Sequence, residues 1–280
     1  MQNCSVCCRK GEISVLKDIT IGQFFPGDSF IHKMDPRMKI IGTLLYIIML
    51  FMAKNIVSMA LGIVLLMLLY KVAGIPIKMI TKSLKPVVPV ILFTSVLNIF
   101  FVTGEVLLKI GFISITKEGI ALAVLMSLRI LCLIAGSSLL TYTTSPIELT
   151  DAIERLLNPL NKLKVPVHEL SMMMTIALRF IPTLIEETDK IINAQKARGA
   201  DMETGSLMQR AKALIPILVP LFVSSFRRAD ELAMAMECRC YRGGDGRTRM
   251  KQLIYSSRDW LAFAVMVGCI IGVILLNIVL

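Results

Sequence analysis

The most constraining feature of this sequence is its last stretch, residues 260–280, which contains no charged side chain. A helix needs about 20 apolar residues to cross the ~30 Å hydrocarbon layer of a membrane. Because backbone polar groups in lipid must be satisfied within the segment itself, such a stretch predicts a transmembrane helix. Four further apolar runs precede it, at residues 38–53, 56–70, 86–102 and 119–141. The runs together predict an all-α polytopic membrane protein with a bundle of about five transmembrane helices.

The composition of the chain supports this class. Of its 280 residues 55% are hydrophobic, and the mean hydropathy of +0.73 is too high for a soluble domain of this size. Its 31 Lys and Arg outnumber 20 Asp and Glu. This positive charge clusters between the apolar runs without interleaved aromatic residues, which favours a positive cytoplasmic face and argues against a nucleic-acid partner. Two of the seven cysteines, Cys132 and Cys269, lie within apolar runs, which favours reduced thiols.

A basic loop determines the predicted orientation. The runs 38–53 and 56–70 are each shorter than a full span, so they form a thin hairpin with flanking residues, or one of them does not cross completely. Two crossings fit better, because the loop that follows is strongly basic and therefore cytoplasmic. We predict a multi-pass protein of the plasma (cell) membrane with a cytoplasmic N-terminus, in which residues 1–19 contain no signal peptide. The lysines of this loop are Lys71, Lys78, Lys82 and Lys85.

Two arginines interrupt apolar sequence. Arg129 lies in the middle of the run 119–141, where a charge is expensive unless it faces the bundle interior or a partner. Arg179 and Pro182 interrupt the apolar stretch 170–185 in the same way. Each arginine is either a paired structural residue or part of a substrate path, and the sequence leaves both readings open.

Two sites carry the pattern of a helix start. Asp35-Pro36 and Ser145-Pro146 each place a capping side chain before a proline at the first helical position. After Ser145, apolar residues recur at helical spacing until the chain reaches 158–159. This pattern predicts an amphipathic helix on the membrane surface.

The segments 167–198 and 206–239 are the least like ordinary membrane sequence. Each is long enough for about 45 Å of helix, apolar in its first half and charged in its second. On one helix face, Arg198 follows Glu187 by eleven residues, and Arg239 follows Arg228 by the same interval. An arginine at a helix C-terminus, preceded by small residues, suits insertion into an acidic groove, whereas the alternative is a simple positive-inside anchor. The repetition of the pattern, with Gly199 as a C-cap, favours docking.

Motifs for catalysis and for metal binding are incomplete. The sequence has no GxxxxGK[ST] motif, so we expect no nucleotide hydrolysis by this chain. His168-Glu169 resembles the start of a zinc-protease motif, but Met172 stands where the second histidine is needed. Cys4-x-x-Cys7-Cys8 lacks further ligands, and we expect it to lie in a disordered tail. The run 243–246 indicates a turn, and we predict a chain that is not an enzyme.

Several short motifs together resemble a known family. Each is weak singly, but their combination, which extends over residues 21–280, is specific. The chain is similar to the transmembrane T component (EcfT/CbiQ-like) of energy-coupling factor (ECF) transporters, a family that includes the T subunits of cobalt and nickel uptake systems. The motifs are Pro26-Gly27-Asp28-Ser29, His32, Asp35-Pro36-Arg37, Ala177-Leu178-Arg179-Phe180-Ile181-Pro182, Ala197-Arg198-Gly199, Ser225-Phe226-Arg227-Arg228-Ala229-Asp230-Glu231 and Glu237-Cys238-Arg239-Cys240-Tyr241-Arg242-Gly243-Gly244.

The resemblance implies a scaffold that links two ABC-type ATPases to a membrane-embedded S component for uptake of a vitamin or a transition-metal ion. ATP and Mg²⁺ are then bound by the ATPases, and no cofactor by this chain. Two Ala-Arg-Gly signatures dock into the ATPases, and the second departs from the pattern because Cys238 and Cys240 replace alanine and glycine. The predicted docking residues are Ala197, Arg198, Gly199, Cys238, Arg239 and Cys240, supported by Glu187, Arg228, Asp230 and Glu231, while Arg129, Arg179 and Pro182 are intramembrane residues.

The predicted organisation has four segments. Residues 1–37 form a cytoplasmic N-terminal segment and residues 38–141 hold transmembrane helices 1–4. Residues 142–244 form a cytoplasmic or inner-leaflet region of coupling helices with the two arginine signatures, and residues 245–280 a linker and the final transmembrane helix. Two rivals to the coupling function remain: a self-contained secondary transporter with Arg129 and Arg179 in its substrate path, and an intramembrane enzyme, which lacks a nucleophile and base at suitable spacing.

Overall fold

Helices account for most of the chain in the computed structural model, which describes residues 24–101, 106–110, 113–159, 166–200, 207–243 and 255–279. The predicted cysteine tail and most of the predicted turn at 243–246 lie outside these residues. A short 3₁₀ helix, Lys85–Val87, joins α3 to α4, and two strands follow α4. The helices are α1 (Pro36–Met52), α2 (Ile56–Ala73), α3 (Ile77–Leu84), α4 (Val88–Phe101), α5 (Lys117–Thr143), α6 (Pro146–Leu157), α7 (Val167–Ala197), α8 (Leu207–Cys238) and α9 (Ser257–Val279).

The predicted helix starts are confirmed at both proline sites. The Asp35 side chain accepts a hydrogen bond from the Arg37 backbone N–H at 2.9 Å, and Pro36 occupies the first turn of α1. Ser145 Oγ accepts from the Glu148 N–H at 3.3 Å at the start of α6. These caps satisfy backbone donors that have no partner within the helix.

Four helical segments of the described chain are long and apolar enough to cross a membrane: 56–73, 77–101, 117–143 and 257–279. They correspond to four of the five predicted runs. The fifth run forms α1, which has 17 residues and lies in the core, with Tyr46, Met49, Leu50 and Ala53 all buried.

The connection between α4 and α5 contains a two-stranded antiparallel ribbon. Strand β1 (Val106–Ile110) pairs with β2 (Ile113–Thr116), and the register matches Ile110 with Ile113. The residues Ile113-Ser114-Ile115-Thr116 alternate between apolar and polar, which is the pattern of a strand.

The described residues divide into two compact units. One is the bundle, residues 22–165 with 248–279, in which α1, α2, α5 and α9 surround the buried core. The other is the helical hairpin of α7 and α8 within residues 166–247.

Polar contacts join the elements at one end of the bundle. This end, the basic end, contains the starts of α1 and α9 and the ends of α2 and α5. The Asp35 N–H donates to Asp259 Oδ1 at 3.0 Å, and Arg37 Nη1 donates to the Tyr255 hydroxyl at 3.3 Å. Lys39 Nζ donates to the Thr143 carbonyl at 2.8 Å. Residues near position 37 and residues near position 257 are therefore held together.

Arg129 and Asn277 hold the turn between α1 and α2 at the other end of the bundle. Arg129 Nη2 donates to the Ala53 carbonyl at 2.6 Å, and Asn277 Nδ2 donates to the Met52 carbonyl at 2.7 Å. Asn277 Oδ1 also accepts from Ser58 Oγ at 2.9 Å. These bonds satisfy carbonyls that the end of α1 leaves without helical partners.

The motif before α1 forms a compact turn around a histidine. His32 Nε2 donates to the Phe25 carbonyl at 3.0 Å, and Nδ1 lies 2.6 Å from Ser29 Oγ. A Cβ atom at Gly27 would approach the His32 ring to 3.0 Å, so a side chain there would require the ring to shift. This geometry gives the Pro-Gly-Asp-Ser and His32 motifs a structural role.

Gly136 permits the close packing of α5 on α1, and we expect Gly136→Ala to destabilise the bundle. An added Cβ would lie 2.6 and 2.8 Å from two Tyr46 ring atoms, which is closer than carbon atoms pack. Overpacking of a core costs about 1–3 kcal/mol, so the midpoint of thermal unfolding in detergent should fall. Gly268→Ala in α9 is the matched control, because nothing lies within 4 Å of its new Cβ. Equal midpoints for the two variants would contradict this account.

Candidate functional site

The helices α7 and α8 pack against each other as an antiparallel hairpin. Contacts between them run in opposite chain directions: Met172 Sδ lies 3.0 Å from the Tyr241 hydroxyl, and Gln195 Nε2 donates to the Pro216 carbonyl at 3.3 Å. The bounds of α7 and α8 agree with the long helices predicted for residues 167–198 and 206–239. Because they run in opposite directions, their C-terminal ends point away from each other.

An ion pair joins the two helices near the middle of the hairpin. Arg228 Nη2 lies 2.8 Å from Glu187 Oε2, and Ser224 Oγ donates to Glu187 Oε1 at 3.0 Å. Each charged side chain is 31% exposed, so water screens the pair and its main effect is to fix the register of the helices.

A proline carbonyl in α8 is satisfied across the hairpin. Pro220 has no N–H, so the carbonyl four residues earlier, at Pro216, loses its helical donor. The side-chain amide of Gln195 on α7 donates to this carbonyl instead. The proline in α8 thus creates a hydrogen bond that holds the two helices together.

The two helix ends have the same backbone geometry. At the end of α7 the N–H of Ala200 donates to the Gln195 carbonyl, and at the end of α8 the N–H of Tyr241 donates to the Met236 carbonyl. The N–H of Gly199 reaches Lys196 in the first case, and that of Cys240 reaches Glu237 in the second. These are the hydrogen bonds of a C-terminal Schellman cap.

Cys240 adopts the left-handed conformation that glycine adopts at the first end. Its φ is +55°, and Gly199 has a φ of +83°. Cys240 stands at the position of the glycine in the signature, and the structure shows the same type of cap at both ends. A side chain in this region costs roughly 1–2 kcal/mol, so the second cap is the less stable of the two.

The equivalent residues of the two signatures are separated by a constant 41 positions. This offset relates Arg198 to Arg239, Gly199 to Cys240 and also Glu187 to Arg228. Since Glu187 and Arg228 meet, the hairpin has an approximate two-fold axis through this ion pair. Each arginine lies eleven residues beyond the axis, in opposite directions, which separates them by about 33 Å along the helices.

The hairpin carries all the predicted docking and supporting residues, but they do not form one cluster. Glu187 and Arg228 meet at its centre. The other residues are exposed, and they lie at its two ends or along α8. They are Ala197, Arg198 and Gly199 at the end of α7, Cys238, Arg239 and Cys240 at the end of α8, and Asp230 and Glu231 within α8.

The remaining candidates have separate surroundings. Arg129 belongs to the bundle, where it binds the Ala53 carbonyl, whereas Arg179 and Pro182 are exposed on α7 of the hairpin. In the part of the chain that the structure describes, no three His, Cys, Asp or Glu side chains come together to hold a metal ion.

Sequence reasoning missed the pairing of Glu187 with Arg228. It treated them as two supporting residues, each associated with its own arginine. Glu187 and Arg228 each precede the arginine of their signature by eleven residues and have opposite charges, and this pattern could have predicted that they pair. In an antiparallel hairpin, equivalent positions of a repeated pattern meet at the centre.

Comparisons with known proteins agree with this architecture. The family model described as "CbiQ: Cobalt transport protein" matches residues 27–250. The energy-coupling factor transporter transmembrane protein EcfT of Clostridium kluyveri is 59% identical over 250 residues, which cover 89% of this chain and 93% of that protein. The proteins of the same name from Ruminiclostridium cellulolyticum and Bacillus subtilis are 52% and 46% identical, over 95% and 88% of this chain and 99% and 93% of theirs. The chain therefore belongs to the EcfT/CbiQ family of non-catalytic, multi-pass transmembrane components of energy-coupling factor transporters.

Proposed function

We propose that the chain couples two ABC-type ATPases to a membrane-embedded S component, and that the two ends of the α7–α8 hairpin are the ATPase docking sites. The observation that carries this proposal is the pair of matching caps, each with an exposed arginine, at opposite ends of one hairpin. Two equivalent ends facing in opposite directions suit two similar partners.

The chemistry of each end suits an acidic groove on a partner. Ala194 and Ala197 are exposed before Arg198, and Ala235 is exposed before Arg239, so a surface can approach the helix closely. A guanidinium group forms two parallel hydrogen bonds with a carboxylate. The ATPases supply the nucleotide site and its Mg²⁺, and this chain supplies the contact.

The central ion pair gives the hairpin a means of transmitting movement. When two docked ATPases approach each other, the two helix ends are displaced together. The Glu187–Arg228 pair and the Gln195–Pro216 bond hold α7 and α8 in register, so they move as one body. Asp230 and Glu231 are exposed on α8 close to this centre and support the partner contact.

The distribution of charge supports a cytoplasmic N-terminus. The basic end of the bundle holds Arg37 and Lys39 at the start of α1 and Lys71 in the last turn of α2. Positive charge is enriched on the cytoplasmic side of membrane proteins. The chain also leaves α5 and enters α9 at this end, so the segment that carries the arginines is attached on the side where ATPases are found.

The substrate class we propose is a vitamin or a transition-metal ion. The matching family model is described as a cobalt transport protein, whereas the relatives are named only as energy-coupling factor components. In this proposal the S component binds the substrate, so this chain makes no substrate-specific contact.

Photocrosslinking tests the docking sites directly. A benzophenone amino acid is placed at Ala194 or at the equivalent Ala235 in the full chain, co-expressed with its ATPases. The control site is Phe226, which is exposed within α8 beside the central Glu187–Arg228 pair and away from both ends. We expect crosslinks to an ATPase from both alanine positions and none from Phe226. Crosslinks of equal yield from Phe226, or none from the alanines in an intact complex, would refute docking through the helix ends.

A further inference from the structure

We propose that the lysine face of α3, formed by Lys78 and Lys82 together with Lys85 at the start of the 3₁₀ helix that follows, binds the headgroups of anionic phospholipids. All three side chains are exposed, and they lie where the chain passes from the basic end of the bundle into the lipid-exposed helix α4.

The length of this helical segment places the lysines at headgroup depth. The segment 77–101 has 25 residues, which span about 37 Å at 1.5 Å per residue. The hydrocarbon layer is ~30 Å thick, so one to two turns extend beyond it. If the other end of the segment lies at the far boundary of the hydrocarbon, Lys78 is in the part that extends, and the long flexible side chains of Lys82 and Lys85 reach back to the headgroups from the next two turns.

The orientation of α3 is fixed by its opposite face. At 100° per residue the three lysines fall within an arc of about 60°. Met79 and Ile80 are turned away from them and pack against the buried core of the bundle. The Tyr142 hydroxyl also donates to the Met79 carbonyl at 3.1 Å and contacts Ser83 Oγ. The lysine face cannot turn inward without breaking these contacts.

The part of the chain that the structure describes provides no ion pair for this face. Residues 36–104 contain no Asp or Glu. Among the described residues, neither these three lysines nor the exposed Lys71 in the last turn of α2 forms an ion pair. On α5, which packs against α3, the one acidic residue is Glu118, near the opposite terminus of that helix. Within the described residues this face keeps its positive charge, which an anion from outside can balance.

A lipid headgroup is the anion that this position favours. The side chain of Ile77, at the start of α3, is 77% exposed, and Leu92 and Phe93 of α4 are exposed along the same segment. Apolar contact with acyl chains and ionic contact with headgroups are therefore available together, which is the pattern of an interfacial lipid site. A soluble anion would use only the lysines.

The test measures lipid selectivity in nanodiscs. The full chain is incorporated into phosphatidylcholine with about one tenth phosphatidylglycerol, and the lipids that stay bound after ejection are identified by native mass spectrometry. A single lysine near an anionic surface is worth about a fivefold preference. We expect phosphatidylglycerol to be enriched on the wild-type chain, and the enrichment to fall at least fivefold in the triple variant Lys78→Gln, Lys82→Gln, Lys85→Gln.

A second triple variant, Lys54→Gln, Lys190→Gln, Lys212→Gln, removes the same charge from exposed positions elsewhere and should keep the enrichment. Thermal unfolding midpoints equal to wild type show that both variants are folded, as exposed side chains predict. Equal enrichment in the two triple variants would overturn the proposal. So would unchanged lipid selectivity together with loss of a partner subunit when the same variant is purified from cells as a complex, which would assign the face to a protein partner.

Discussion

Replacing Arg198 and Arg239 together by alanine is expected to abolish co-purification of the ATPases with this chain and to reduce substrate uptake to background. Arginines at the centre of an interface contribute about 2–4 kcal/mol each when truncated. The two sites act on one assembled complex, so either single variant keeps one attachment and part of its avidity. Affinity purification in mild detergent, followed by quantification of bound ATPase, measures the effect.

The single variants should differ from each other. Cys240 holds the second cap in a left-handed conformation that glycine adopts more easily, so the Arg239 end is the less rigid. We therefore expect Arg198→Ala to reduce ATPase binding more than Arg239→Ala. Alkylation of Cys238 and Cys240, both exposed and free, should weaken the second site only; unchanged binding after alkylation would count against a thiol-sensitive contact.

The matched control removes two positive charges from the same helices near the centre of the hairpin. Lys190 and Arg227 are both exposed, and both lie within one turn of the Glu187–Arg228 pair. The double variant Lys190→Ala, Arg227→Ala should retain the ATPases. If it loses them as fully as the first double variant, general charge loss rather than docking at the caps explains the result.

Local patterns in the sequence were sufficient to predict most helices. A capping side chain before proline marked the starts of α1 and α6, and the apolar runs located the helices that can span a membrane. The lengths of α7 and α8 followed from their charge and apolar periodicity. Such signals depend on neighbours within a few residues, so one sequence displays them directly.

Contacts between distant residues could not be predicted in the same way. The carboxylate of Asp259 caps the start of α1, 224 residues away, and the sequence placed this acid outside the final apolar run. The left-handed Cys240 was also unexpected, because backbone context rather than residue type decides it. The repeat of 41 positions was visible, but its meaning depends on the antiparallel pairing of the helices.

Asp259→Ala is expected to lower the free energy of unfolding of the bundle by about 3 kcal/mol, because it removes two hydrogen bonds to a buried carboxylate. Asp259 Oδ1 accepts from the Asp35 N–H at 3.0 Å and Oδ2 from the Ser256 N–H at 2.8 Å, and the side chain is 1% exposed. Both donors would be left without this partner. Glu186→Ala, at an exposed acid of α7, should leave the unfolding midpoint unchanged.

The size of this loss should depend on pH through Lys39. Burial lowers the pKa of Lys39 to about 8, and the negative charges of Glu148, Asp259 and Asp35 oppose that shift. Because Lys39 keeps the ordinary pKa of 10.5 in the unfolded chain, the unfolded chain binds more protons than the folded chain between pH 8 and pH 10.5. The contribution of Lys39 to the free energy of unfolding therefore increases as the pH rises through this window. At pH 7 Lys39 is charged, and the negative charge of Asp259 stabilises it. At pH 10 Lys39 is neutral in the folded chain, so this charge interaction is absent.

The variant should therefore lose less stability at pH 10 than at pH 7, measured as the difference in unfolding midpoint from wild type. Asp259→Asn separates the two contributions: it retains one acceptor oxygen but no charge, so its loss at pH 10 should be smaller than that of Asp259→Ala. A loss that is the same at both pH values would show that the hydrogen bonds alone, and not the charge opposite Lys39, make Asp259 necessary at the basic end of the bundle.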